Sequence, residues 1–200
     1  MIASKFGQVI GVTGNIGSGK TLVLKMLKKM GFLTFSLDGY VHSLINKNKS
    51  VIEGITHNFP ECVEKGMISR KLLANKVFSN NGSMLVLERI ITPYTEQKIK
   101  YLSDQVRKNR NRSIVMEVPL LFERKREIYF DKIICLYSST NTMLKRVMNR
   151  CNMDEKKFYA IINNQLDKNE VKSQVDYLIC NENRHYLLKF IKKIIKKCQI

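Results

Sequence analysis

The run Gly14-Asn15-Ile16-Gly17-Ser18-Gly19-Lys20-Thr21 has the spacing G-x-x-x-x-G-K-[ST]. Glycines at those places allow successive backbone N–H groups to turn inward around a phosphate, a concave anion nest. A helix starting near Lys20 adds the positive end of its dipole. The Lys20 ammonium is then a mobile point charge for the β- and γ-phosphates of a nucleotide, and the Thr21 hydroxyl is an oxygen ligand for Mg²⁺. Such a loop serves kinases, GTPases, ATPases and motors alike, but no N-K-x-D run is present to specify guanine. A second candidate is Asp38, which follows a predicted strand and so shares the sheet edge with the loop. A carboxylate there can accept the proton of an acceptor hydroxyl in phosphoryl transfer, or it can cap a following helix. Taken alone, the residue leaves both readings open.

The elements that must position these groups are legible as alternating patterns. Gln8 to Val12 is an apolar run that reads as a strand entering the loop. Lys20 to Met30 has Leu22, Val23, Met26, Leu27 and Met30 at helical spacing, one face of a helix leaving it. Phe32 to Leu37, Ser113 to Val118, Lys132 to Tyr137 and Tyr177 to Cys180 read as further strands. Strands separated by helices predict a parallel sheet with crossover connections. Between Val41 and Arg110 the pattern is helical only, with separate segments at Arg70 to Phe78, Leu85 to Ile91 and Thr95 to Val106. That stretch is too long for one crossover and predicts a helical lobe at the sheet's carboxyl edge, where open α/β sheets bind ligands. Near the C-terminus, Leu187, Leu188, Ile191, Ile194, Ile195 and Cys198 share one face and lysines occupy the other, a packed helix with a wet basic side.

With 200 residues, 44% of them apolar and 26% charged, the chain is the size and composition of one soluble globular domain. No apolar run reaches the roughly 18 residues of a membrane span, and the start carries no signal-peptide pattern. The five cysteines lack metal-ligand spacing with the three histidines and read as reduced thiols of a cytoplasmic protein. Lysines and arginines number 35 against 17 acidic residues, a net charge of +18. That excess is compatible with nucleic acid, with a polyphosphate ligand, or with solvated helix faces alone. The lysines recur through every helix rather than clustering with aromatics along a groove, so no specific nucleic-acid partner is expected.

Four stretches together carry a resemblance. The opening from Gly11 has G-x-T-G-x-I-G-S-G-K, then Gly31, then a strand ending in Asp38. Gly66-Met67-Ile68-Ser69-Arg70 is followed by Leu73, Ala74, Val77 and Phe78. Val118-Pro119-Leu120-Leu121-Phe122-Glu123 comes next, and Arg146 and Arg150, four apart, are followed by Gln165, Asp176 and Asn181. In these stretches, which span nearly the whole chain, the sequence resembles the dephospho-CoA kinase family. The P-L-L-F-E run is more specific than the phosphate loop. Departures are Ser36 where the family has Asp, Thr92 for its His, Met143 for its Gln, and Val171 for its late Lys.

The resemblance implies a P-loop α/β fold: a five-stranded parallel sheet flanked by helices (1–40 and 111–200), an inserted helical substrate lobe (about 41–110) and a short lid (about 146–156). It implies ATP-dependent phosphorylation of the ribose 3′-hydroxyl of dephospho-coenzyme A, with Mg²⁺. ATP would be bound by Gly14, Asn15, Ile16, Gly17, Ser18, Gly19, Lys20, Thr21 and Leu22, with lid arginines Arg146 and Arg150. Arg70 would hold an anionic part of the acceptor, Asp38 would be the base, Thr21 and Glu117 would reach the metal, and Glu123 would brace its loop. A monomer without membrane partner is expected. The rivals are another P-loop nucleoside or nucleotide kinase, which would not need the Val118 to Glu123 run, and a basic P-loop nucleic-acid-binding protein.

Overall fold

The computed structural model describes residues 7–108, 112–149 and 153–198. In chain order the elements are β1 (Val9–Gly14), α1 (Lys20–Lys29), β2 (Leu33–Ser36), α2 (Leu37–Lys47), α3 (Lys49–Asn58), β3 (Val63–Glu64), β4 (Met67–Ile68), α4 (Arg70–Ser79) and α5 (Asn81–Lys108). Then follow β5 (Ile114–Glu117), β6 (Lys132–Tyr137), α6 (Thr140–Met148), α7 (Glu155–Ile162), α8 (Lys168–Val171), β7 (Tyr177–Cys180) and α9 (Arg184–Cys198). They fold as two compact units. One comprises the chain up to Leu37 together with the chain from Lys100 onward, and the other is Asp38–Ile99.

The first unit is built on a five-stranded, wholly parallel sheet in the order β2-β5-β1-β6-β7. β1 lies in the middle and is buried from Val9 to Thr13, as a parallel strand covered on both faces must be. Ile10, Val12, Val115, Ile134, Leu136 and Ile179 of the sheet pack with Val23, Leu24 and Leu27 of α1 and with Leu187, Ile191 and Ile194 of α9. The i, i+4, i+7 spacing on α9 turns one apolar stripe onto the sheet. Burial of each such side chain stabilises by about 1.5–3 kcal/mol. A smaller cluster joins Met143 and Val147 of α6 to Phe158 of α7, with Ile16 packed against them.

In the second unit Leu44, Ile45, Val51, Ile55, Phe59, Leu73, Val77 and Ile91 form a separate core. The stretch read as helical only contains a β-hairpin: Val63 pairs with Ile68 and Glu64 with Met67. Its two-residue turn is Lys65-Gly66, with φ of 50° and 76°. A two-residue hairpin turn with positive φ at both centres is made easier by glycine at the second position. The segments Leu85 to Ile91 and Thr95 to Val106 are one helix, α5, with Pro93 inside it. A proline removes one backbone hydrogen bond and favours a break. Here Ile91, Thr95, Ile99, Ser103 and Val106 form a single buried stripe along α5, and packing overrides the local preference.

Candidate functional site

β1 delivers the loop at the carboxyl edge of the sheet, beside its parallel neighbours β5 and β6. Ser18 N–H donates to the Asn15 carbonyl at 3.1 Å, closing the loop on itself. Gly19 precedes α1 with φ of 101°, and a Cβ there would lie 2.1 Å from the Asn181 Nδ2 atom. No side chain other than glycine fits that conformation and that space. Ile16 is anchored on one side by its packing against α6 and α7 and on the other by its N–H, which donates to Gln165 Oε1 at 2.8 Å. The Lys20 ammonium donates to the carbonyls of Gly14 at 2.7 Å and Asn15 at 3.1 Å. It is therefore held over the mouth of the loop. Leu22 contributes its N–H to the Gly19 carbonyl at 3.0 Å, while its side chain packs on the core.

Glu117, the last residue of β5, is only 2% exposed. Thr21 Oγ1 donates to its Oε1 at 2.8 Å, and Ser36 Oγ donates to its Oε2 at 3.0 Å. The register explains the clasp: Val12 of β1 and Ser36 of β2 are both paired to Glu117. Ser36 thus uses the position where the resembled family has a carboxylate to bind one. Burying a carboxylate costs several kcal/mol unless it is paired, and hydroxyl donors worth about 1.5–3 kcal/mol each offset only part of that. A hard oxygen set of one hydroxyl and one carboxylate beside a phosphate loop suits Mg²⁺, which takes few protein ligands and completes its shell with phosphate and water.

Arg146 of α6 gives Nη1 to the Gly17 carbonyl at 3.3 Å and to Ser138 Oγ at 3.0 Å, and Nη2 to the Asn181 carbonyl at 2.7 Å. Its guanidinium therefore grips the loop from its carbonyl side. Arg150 lies outside the described residues. The Val118 to Glu123 run lies beside the loop, with Val118 N–H bonded to the Val12 carbonyl at 2.9 Å. Leu120 adopts a φ of 52°, an uncommon conformation for a bulky residue. Glu123 Oε1 accepts from Leu166 N–H at 3.0 Å, next in sequence to Gln165. A pocket of about 550 Å³ opens here, with Gly14, Asn15, Leu120, Glu123, Met143 and Gln165 among its walls. Cys135 borders it, but burial pushes its thiol up to about 11 against the opposing pull of Lys20. It is no nucleophile at neutral pH.

In the Asp38–Ile99 unit, Asp38 is the second residue of α2 and sits in its first turn. Arg70, the first residue of α4, meets His42 with Nη2 to Nε2 at 2.7 Å. Arginine can only donate, so His42 accepts as neutral imidazole. Burial first, then the Arg70 charge, lower the His42 pKa, and Asp38 opposes them. The structure thus gathers the loop, Thr21, Glu117 and Arg146 in one unit, and Asp38, His42 and Arg70 in the other. Sequence reasoning missed His42 and the task of Ser36. It named Gln165 and Asn181 only as matching positions.

Comparison with known proteins identifies the family. Residues 8–186 match the family described as Dephospho-CoA kinase (CoaE). A dephospho-CoA kinase of Bartonella quintana is 34% identical over 86% of this chain and 88% of its own. The fold is similar to that of TT1252 from Thermus thermophilus, with a TM-score of 0.78 and 25% identity over 96% of this chain and 98% of that one. It is also similar to a dephospho-CoA kinase from Campylobacter jejuni, with a TM-score of 0.68 and 27% identity over 94% and 96% of the two chains. The match over residues 8–186, together with the phosphate loop and the P-L-L-F-E run, shows that the chain belongs to the dephospho-CoA kinase family, the ATP-dependent phosphotransferases of coenzyme A biosynthesis.

Proposed function

We propose that the protein moves the γ-phosphoryl group of Mg-ATP to the ribose 3′-hydroxyl of dephospho-coenzyme A, releasing coenzyme A and ADP. The observation that carries the residue-level reading is the clasp of Thr21 and Ser36 on the buried Glu117 carboxylate beside Lys20 and its loop. Phosphoryl transfer is mostly positioning and charge neutralisation. Loop N–H groups and the Lys20 ammonium receive the phosphates, and Thr21 with Glu117 would hold Mg²⁺, which neutralises phosphate charge when bound. Arg146, with Arg150 four residues on, supplies positive charge to the nucleotide side. Arg70, oriented by His42, holds an anionic group of the acceptor, where a guanidinium fork suits phosphate. Asp38 orients the 3′-hydroxyl and takes its proton. The working form we infer is a cytoplasmic monomer with no specific nucleic-acid or membrane partner.

Asp38→Asn tests the proton acceptor. It keeps the shape and can still hydrogen-bond but removes the charge and the group basic enough to take the proton. kcat should fall by about 10²–10⁴, the usual worth of a positioned base, with ATP affinity nearly unchanged. Near-normal kcat would leave Asp38 as a first-turn carboxylate favoured by the helix dipole, and Glu117 would be the base to test instead.

A further inference from the structure

The carbonyl side of the phosphate loop is held by a small, buried network whose centre is Asn181, one residue past β7. A trans peptide directs its C=O and its N–H to opposite sides. Asn181 Nδ2 donates to the Ser18 carbonyl at 2.7 Å, so the N–H of Gly19 in the same peptide points away from Asn181. That N–H donates to no acceptor among the described residues, and it is one of the orphan donors that a helix N-terminus presents to an anion. Asn181 is itself fixed through its backbone. Its N–H donates to the Tyr137 carbonyl at 2.8 Å, and its carbonyl accepts from Ser138 Oγ at 2.9 Å and from Arg146 Nη2 at 2.7 Å. The residue is 1% exposed, and its Oδ1 has no hydrogen-bond partner among the described residues. An amide buried with half its capacity unmet is a costly occupant of a core position, and its donor has one visible task.

We propose that Asn181 is a positioning residue for the nucleotide. It holds the Ser18–Gly19 peptide so that the Gly19 N–H faces the phosphates, and Arg146 and Ser138 hold Asn181 in place. The inference rests on reading the loop as the ATP site. Failure of the unaltered protein to bind ADP would sink that reading itself, a result separate from those below.

The test is calorimetric ADP binding together with steady-state kinetics on Asn181→Asp and Asn181→Ala, each checked for folding by thermal melting. The aspartate keeps the shape but turns an acceptor toward the Ser18 carbonyl. ADP affinity should weaken at least about tenfold, the loss of one well-placed phosphate contact. KM for dephospho-coenzyme A should stay within about twofold of the unaltered value, a split that a purely structural role would not produce. ADP affinity unchanged in a folded variant, or equal weakening toward both substrates, overturns the proposal. Should neither variant fold, Asn181→Ser decides, because it removes the amide donor and keeps a small polar side chain in the buried position. ADP affinity should then fall at least about tenfold, and no change overturns the proposal.

Discussion

His42 is the residue through which pH would reach Arg70, the proposed acceptor cation. It accepts a hydrogen bond from Arg70 and lies one helical turn beyond Asp38. Burial and the neighbouring guanidinium both disfavour imidazolium, so its pKa in the folded chain lies below the ordinary 6.5. The unfolded chain therefore binds the proton more readily. The contribution to stability is complete above 6.5 and is lost as pH falls through the folded value. An NMR titration of the His42 ring should give a midpoint below 6.5, and KM for dephospho-coenzyme A should rise as His42 protonates and releases Arg70. His42→Gln, which still presents an acceptor, should flatten that rise. A midpoint at or above 6.5 would mean that the Arg70 contact does not govern the ring.

At the scale of elements, Asp176 separates architecture from chemistry. It matches a position of the resembled family, yet it precedes β7 at the end of the strands away from the loop. Its Oδ2 accepts from Ile133 N–H at 2.9 Å, and its own N–H donates to the Ile133 carbonyl at 3.1 Å. The 2.6 Å contact with Lys132 is partly exposed and contributes little. The bond from the backbone to the carboxylate is worth about 1.5–3 kcal/mol. Asp176→Ala should lower Tm by about 2–4 °C for each kcal/mol lost while kcat stays unchanged. Loss of activity at an unchanged Tm would give Asp176 a chemical role.

The inner strands β1, β5 and β6 were legible because strands buried on both faces are written as apolar runs. The two-residue strands β3 and β4 are too short to show alternation, so the hairpin was invisible. Pro93 reads locally as a break, and only the buried stripe along α5 reveals a continuous helix. Of the site, the loop chemistry lay in contiguous sequence. The Glu117 clasp and the Asn181 brace depend on which strands lie side by side, and periodicity along one strand carries no record of its neighbour.

At the scale of the whole molecule, the net charge of +18 is less informative than where carboxylates are buried. A phosphate loop, an oxygen set suited to Mg²⁺ and a family match over residues 8–186 all bear on one reaction. A generic P-loop kinase would share the loop, and the choice of acceptor is what separates the two. The most direct measurement is ADP release by the purified protein with Mg-ATP and a panel of acceptors: dephospho-coenzyme A, AMP, CMP, thymidine and shikimate. The predicted result is a kcat/KM for dephospho-coenzyme A at least about a hundredfold above every other acceptor, within the range that a site matched to its substrate's polar groups achieves. A clear preference for any of the other four would contradict the account.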